Sequence, residues 1–358
     1  MKKWLFLTMS VLTFFLVLSA CGQTTGTDTT QGDLQEENPA AEPETSDSGD
    51  AVASDESYVI KFAHVVRPST AKGQAAEMFA DLIEERTDGQ ITVEIYPDSQ
   101  LGSDREITEQ MQSGNVHMNA PFTGVLPSFV PQFQVFDLPF IFENPEEAYD
   151  SMHGALGESL NDYLVPQGLR AVGYWDGGLK HFTNSIRAIE TPEDMDGLRM
   201  RASQSPLIIS QFRALNAGGV SIDFSELYTA LQNGTVDGQE NPLSNIVSRK
   251  FYEVQDYVTL SGHGYMGYVH LISESFYQDL PKDLQVILDE VATEVSLWQW
   301  EQAAQDEIAY MEELEESGIE ITELTPENRE KFIEVTKGTF DEFLQIDGAQ
   351  ELLDLLNK

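Results

Sequence analysis

Between Pro281 and Ser317 the chain contains neither proline nor glycine. Leu284, Ile287, Leu288, Val291, Val295, Trp298, Ile308, Met311 and Leu314 recur there at roughly helical spacing. About 35 residues rising 1.5 Å each reach about 50 Å, far beyond an ordinary helix. Two helices joined without a breaker fit this run, and so does one helix that runs past two domains. The chain has 358 residues, enough for two domains with substantial cores.

The preceding sequence alternates strand and helix. Tyr58–Ala63 is a short β-like run. Ala75, Met78, Phe79, Leu82 and Ile83 then share one helical face, with Thr70 placed to cap the start. Ile91, Val93 and Ile95 alternate with Thr92, Glu94 and Tyr96, a half-buried strand, and Pro97-Asp98 marks a turn. Helices are predicted near 104–113 and 147–164, and strands near 116–120 and 169–175. Thr191-Pro192-Glu193-Asp194 reads as a helix start, followed by a strand at 198–202, helices at 206–215 and 225–232, and a strand at 268–273. This alternation argues for an α/β architecture with a largely parallel sheet.

The first 21 residues read as a lipoprotein signal. Lys2 and Lys3 precede an apolar stretch from Trp4 to Leu18, too short for a membrane span. Leu18-Ser19-Ala20-Cys21 resembles a lipobox, which implies lipidation at Cys21, the one cysteine of the chain. Residues 22–56 carry ten acids and almost no large apolar side chains, so they are expected to be a disordered acidic tether.

Charge narrows the partners. The chain has 61 Asp and Glu against 20 Lys and Arg, a formal net charge of −41. Nucleic acid and anionic membrane surfaces need clustered cations, so both are poor partners. The acidity fits a saline or alkaline medium. A single cysteine excludes an intramolecular disulfide and a cysteine-cluster metal site. His64, His117, His153, His181, His263 and His270 form no ligand-spaced pair on a helix, and no nucleophile, metalloprotease or phosphate-loop motif occurs. No metal, cofactor or catalysis is therefore expected. The informative segment is 180–213, where Lys180, Arg187, Arg199, Arg201 and Arg213 face only four acids. Arg199 and Arg201 share one face of a predicted strand. A guanidinium there can grip a carboxylate with two parallel hydrogen bonds, or make a structural salt bridge.

Several motifs carry a resemblance. Gly197-Leu198-Arg199-Met200-Arg201, Phe224-Ser225-Glu226-Leu227-Tyr228, and Val236-Asp237-Gly238-Gln239-Glu240-Asn241-Pro242 occur in that order. With Lys61-Phe62-Ala63-His64-Val65-Val66, Phe136-Asp137-Leu138-Pro139-Phe140 and Tyr174-Trp175-Asp176-Gly177-Gly178, they resemble the solute-binding proteins of tripartite ATP-independent periplasmic (TRAP) transporters, in the DctP-like C4-dicarboxylate branch. The resemblance implies an α/β, two-domain clamshell like other periplasmic binding proteins, with a hinge and with a long strand and a long helix spanning both lobes. Residues 57–178 and 267–306 would form lobe I, residues 179–266 and 307–345 lobe II, and 346–358 a tail packed outside. It implies that Arg201 salt-bridges a ligand carboxylate, that Asn241 donates to the same ligand and that Phe224 walls the pocket. Lys180 stands where a second cation is common. His64 and Lys72 are nominated from the opposite lobe, and Trp175 from the crossover. Phe122 and Val125 stand where the sialic-acid branch has charged contacts, which favours a small dicarboxylate such as malate, fumarate or succinate. A receptor for another carboxylate (sugar acid, aromatic acid, 2-oxo acid or lactate) and a sensory accessory lipoprotein are the rival readings. The partners implied are a small organic anion and the two membrane subunits of a transporter, outside the cell membrane and most simply on a Gram-positive cell.

Overall fold

A computed structural model describes residues 57–356. The signal peptide, the lipidation at Cys21 and the tether at 22–56 lie outside the described residues.

The elements follow in chain order. Strand β1 (Tyr58–Ala63), helix α1 (Ala71–Arg86), β2 (Ile91–Tyr96), α2 (Asp104–Gln112) and β3 (Met118–Asn119) come first. Two 3-10 segments, Thr123–Ser128 and Pro131–Asp137, lead to α3 (Pro145–His153), α4 (Ala155–Leu164) and β4 (Leu169–Asn184). Then come β5 (Arg199–Ala202), α5 (Pro206–Ala214), β6 (Gly218–Ser221), α6 (Leu227–Gln232), β7 (Gly238–Asn241), α7 (Leu243–Ser248) and β8 (Tyr257–Ser273). The chain ends with α8 (Glu274–Asp279), α9 (Lys282–Ser317), β9 (Glu320–Glu323), α10 (Pro326–Thr336), α11 (Gly338–Phe343) and α12 (Ala349–Leu356).

All nine strands belong to one mixed sheet, ordered β2-β1-β3-β8-β4-β7-β5-β6, with β9 beside β8. Its centre is an antiparallel spine of β4 and β8, each more than twice as long as the outer strands. Parallel pairing is confined to the two wings and to β9: β1 with β2 and β3 on one side, β5 with β6 and β7 on the other. The sheet is thus less parallel than the alternation suggested, because the spine strands run in opposite directions through both wings. Helix α9 is one unbroken 36-residue helix, which settles the choice left open by the sequence. The predicted helix at 147–164 is instead two, broken at Gly154, whose φ of −96° and ψ of −159° are extended. Helix α12 buries Ala349 and Leu352 in the core cluster that also holds Phe133, Phe136 and Leu160.

Helix starts are fixed by short polar side chains. Thr70 Oγ1 accepts from the Gly73 amide at the start of α1. Ser103 and Glu106 form a reciprocal capping box on α2. Thr70 and Ala71 at the start of α1, and Ser103 and Asp104 at the start of α2, line two neighbouring cavities. Among the described residues no helix is long and apolar enough to cross a membrane.

Candidate functional site

Strand β5 lies between β6 and β7, so Arg201 is flanked on both sides by backbone. Its side chain is buried, only 5% exposed. Nε donates to the Ile222 carbonyl at 2.9 Å, and no carboxylate among the described residues lies within ion-pair distance. Burial lowers its pKa to about 10, against the opposing pull of Glu240 and Asp223. A desolvated guanidinium with most of its donors unused is an anion site in waiting.

Arg201 lines a cavity of about 50 Å³. One wing contributes Val65, Ser99, Ser103 and Asp104; the other contributes Arg201, Gln204, Asp223, Phe224 and Asn241. Phe122, Val125, Met266 and Tyr268 complete the apolar wall. Asn241 ends β7, donates to Gln239 and accepts from Asn245 Nδ2 at 2.8 Å, so its amide is held in a fixed orientation. Ser99 Oγ, Asp104 Oδ1, Ser203 Oγ and Gln204 Oε1 are buried without a hydrogen-bond partner. Burial raises the Asp104 carboxyl above its ordinary range, although Lys72 opposes this. A second cavity of about 300 Å³ shares Val66, Asn245 and Tyr268 with the first.

Of the seven residues expected to contact a ligand, three line the first cavity together: Arg201, Asn241 and Phe224. Lys72 lines the second cavity. Its ammonium is buried without a hydrogen bond, 4.0 Å above the ring of Tyr268, and burial lowers its pKa to about 8. The other three lie elsewhere. The Lys180 ammonium meets Glu240 Oε2 at 2.6 Å in a pair almost wholly buried, with His263 3.5 Å from the same oxygen. Burial pushes the Glu240 carboxyl up, but Lys180 and His263 more than offset this and hold it below its ordinary value. Lys180 therefore already has its anion. Trp175 is fully buried in the core, with Nε1 donating to Ser296 Oγ at 3.1 Å. His64 lies at the end of β1 but lines neither cavity. Burial first and Lys72 second push its pKa to about 3, so the ring is neutral. Arg199 pairs with Asp237 on the surface and takes the structural role.

Sequence reasoning missed Ser99, Ser103, Asp104, Ser203, Gln204 and Asp223. They come from loops and helix starts whose convergence has no periodic signature.

Two wings on a shared spine, closing on a buried cation and a fixed amide, define a solute-binding receptor. The chain belongs to the bacterial extracellular solute-binding protein family 7, DctP, whose model matches residues 62–346, and it is a TRAP solute receptor with the two-lobe α/β fold of that family. The C4-dicarboxylate-binding protein DctB of Bacillus subtilis is 36% identical over 299 residues, 83% of this chain and 85% of that protein. The structure of a TRAP periplasmic solute-binding protein from Sulfurospirillum deleyianum with bound succinate matches with a TM-score of 0.80 and 37% identity, over 84% of this chain and 98% of that one. The sugar acid binding protein DctPAm of Advenella mimigardefordensis, in complex with galactonate, matches with a TM-score of 0.82 and 32% identity, over 84% and 97%. The family is one of binding receptors.

Proposed function

We propose that this receptor binds a C4-dicarboxylate reversibly, makes and breaks no covalent bond, and hands its ligand to the membrane subunits of a TRAP transporter. The observation that carries this is Arg201, a buried guanidinium without a carboxylate partner on the wall of a cavity, beside the fixed amide of Asn241. Arg201 takes one ligand carboxylate bidentately and Asn241 donates to it. Lys72 supplies the second positive charge from behind Tyr268, since an unpaired buried carboxylate is very costly. Names of relatives support the same class: DctB is a C4-dicarboxylate-binding protein and the Sulfurospirillum structure holds succinate.

A hydroxylated acid is the second reading. It is favoured by the unpartnered Ser99, Asp104, Ser203 and Gln204 oxygens, which suit hydroxyl donors, and by the galactonate-bound relative. The hinge of the clamshell falls at residues 178–179 and 266–267. This is supported by the register shift between Asp176/Gly267 and Gly178/Met266 in the spine. The Leu18-Ser19-Ala20-Cys21 run supports anchoring through lipidated Cys21 at the exterior of a Gram-positive cell, with 22–56 as spacer.

A thermal-shift screen of succinate, fumarate, malate, galactonate, lactate and aromatic acids tests the assignment. A ligand at about 100 times its Kd stabilises by about 2.7 kcal/mol. The C4 acids are expected to raise the melting temperature at the lowest concentrations. A response to sugar acids alone overturns the dicarboxylate assignment.

A further inference from the structure

Arg249 caps the C-terminal end of α7, in the wing that carries Asn241. Its guanidinium lies 5.1 Å over the ring of Phe224, a wall of the cavity from that wing. From there it reaches the opposite wing at two points. It donates to the Val65 carbonyl, in the loop after β1, and it meets Asp98 Oδ1 at 2.9 Å, in the loop after β2. Val65 is a wall of the same cavity. One side chain therefore touches both walls across the gap.

The two loops that receive it form one unit. The Asp98 amide donates to the Val66 carbonyl and the Ser99 amide to the His64 carbonyl, both at 3.1 Å. Asp98 and Ser99 both hold left-handed backbone, with φ of 53° and 61°. Such conformations cost energy in non-glycine residues and persist where the surroundings dictate them. The loops are thus set in one shape, presenting the Val65 carbonyl and the Asp98 carboxylate to one guanidinium. The Arg249 side chain is 19% exposed and that of Asp98 is 42% exposed. An ion pair this open adds little to the stability of a fold. Its position gives it a different effect, because all of its cross-gap contacts must break before the wings separate.

We propose that Arg249 is a latch across the mouth of the ligand cavity, a positioning residue that sets how slowly the bound acid leaves. The proposal rests on the receptor reading above. Arg249 does not contact the bound acid. It holds the Val65 and Asp98 loops against Phe224 once the wings have met. Contacts made only in the closed form act on dissociation and leave association nearly unchanged.

The test is stopped-flow measurement of kon and koff, with melting temperatures of the ligand-free proteins, for wild type, R249A, R249K and D98N. Succinate is the probe. Asn tolerates left-handed backbone, so D98N removes the charge and keeps the loop. R249A is expected to raise koff about tenfold and to leave kon within about twofold. D98N is expected to raise koff severalfold and to make koff insensitive to salt. R249K keeps the charge and loses the fork, so its koff falls between wild type and R249A. An unchanged koff in R249A overturns the latch. So does a koff increase that tracks a fall in the ligand-free melting temperature across the series, because that pattern marks a general structural role. Failure of wild type to bind succinate bears on the choice of acid and not on the latch; the same rates are then read with whichever of malate, fumarate or galactonate binds in the thermal-shift screen, and the same outcomes decide the latch.

Discussion

The Arg201 guanidinium is buried here without a carboxylate partner, so its contribution appears on binding, when an anion takes that place. R201A is expected to weaken succinate binding by about 2–5 kcal/mol, the range for truncating one partner of a buried charge pair. R201K keeps a charge but loses the planar fork and the bond to Ile222, and is expected to recover only part of that loss. Calorimetry on the three proteins checks both; unchanged affinity in R201A removes the carboxylate clamp. Arg201 was legible in the sequence because cations are scarce in this chain and several fall in one short segment. Lys180, from the same segment, pairs instead with a carboxylate of the chain itself, for a physical reason. Its anion, Glu240, is sixty positions away and arrives only through the β4–β7 register, in which Phe182 faces Glu240 and His181 faces Asn241. One strand register thus assigns Glu240 to Lys180 and leaves Arg201 free.

At the scale of elements, α9 was legible because nothing in its sequence interrupts it, and β4 and β8 were not. Asp176-Gly177-Gly178 and Ser261-Gly262-His263-Gly264 are rich in glycine, yet both lie inside strands, at register shifts. Gly178 has φ of 100° and Gly262 φ of 51°, conformations that these irregular positions require. Bulged glycines at this place are what a bending spine needs. The cavity of about 300 Å³ beside them brings Asp176 of β4 to Asp306, Glu307 and Tyr310 of α9, with Lys72 and His181 facing the same space. Burial first, and Asp176 second, raise the Glu307 carboxyl to about 7. Its folded pKa lies above its unfolded one, so the native state binds more protons between about pH 4.5 and 7, and stability falls through that window as pH rises. E307Q removes this proton. The melting temperature of E307Q minus that of wild type is expected to grow from pH 5 to pH 7 and to level off above. Melts at half-unit steps check this, and a flat difference shows that Glu307 is not held protonated.

The whole molecule poses an electrostatic problem that no single residue shows. The residues from Ser57 onward keep 51 acids against 18 bases, so a dianion approaches a surface of its own sign. Many ion pairs on that surface are local and exposed, such as Arg105 with Glu109 and Lys331 with Glu327, and do little to neutralise the field. The compensating cations, Arg201 and Lys72, are buried between the wings, where bulk salt screens them least. Long-range repulsion and short-range attraction thus act at different distances. The Debye length shrinks from about 30 Å at 0.01 M salt to about 8 Å at 0.15 M, which removes the long-range part first. The association rate of succinate is therefore expected to rise with added sodium chloride over this range, the reverse of a receptor that steers its ligand by surface charge. Over the same range the melting temperature of the ligand-free protein is expected to rise, because screening relieves the self-repulsion of the acidic fold. Stopped-flow association rates at four salt concentrations decide the matter. A rate that falls with salt shows that the two buried cations, and not the acidic surface, dominate the field the ligand meets on approach.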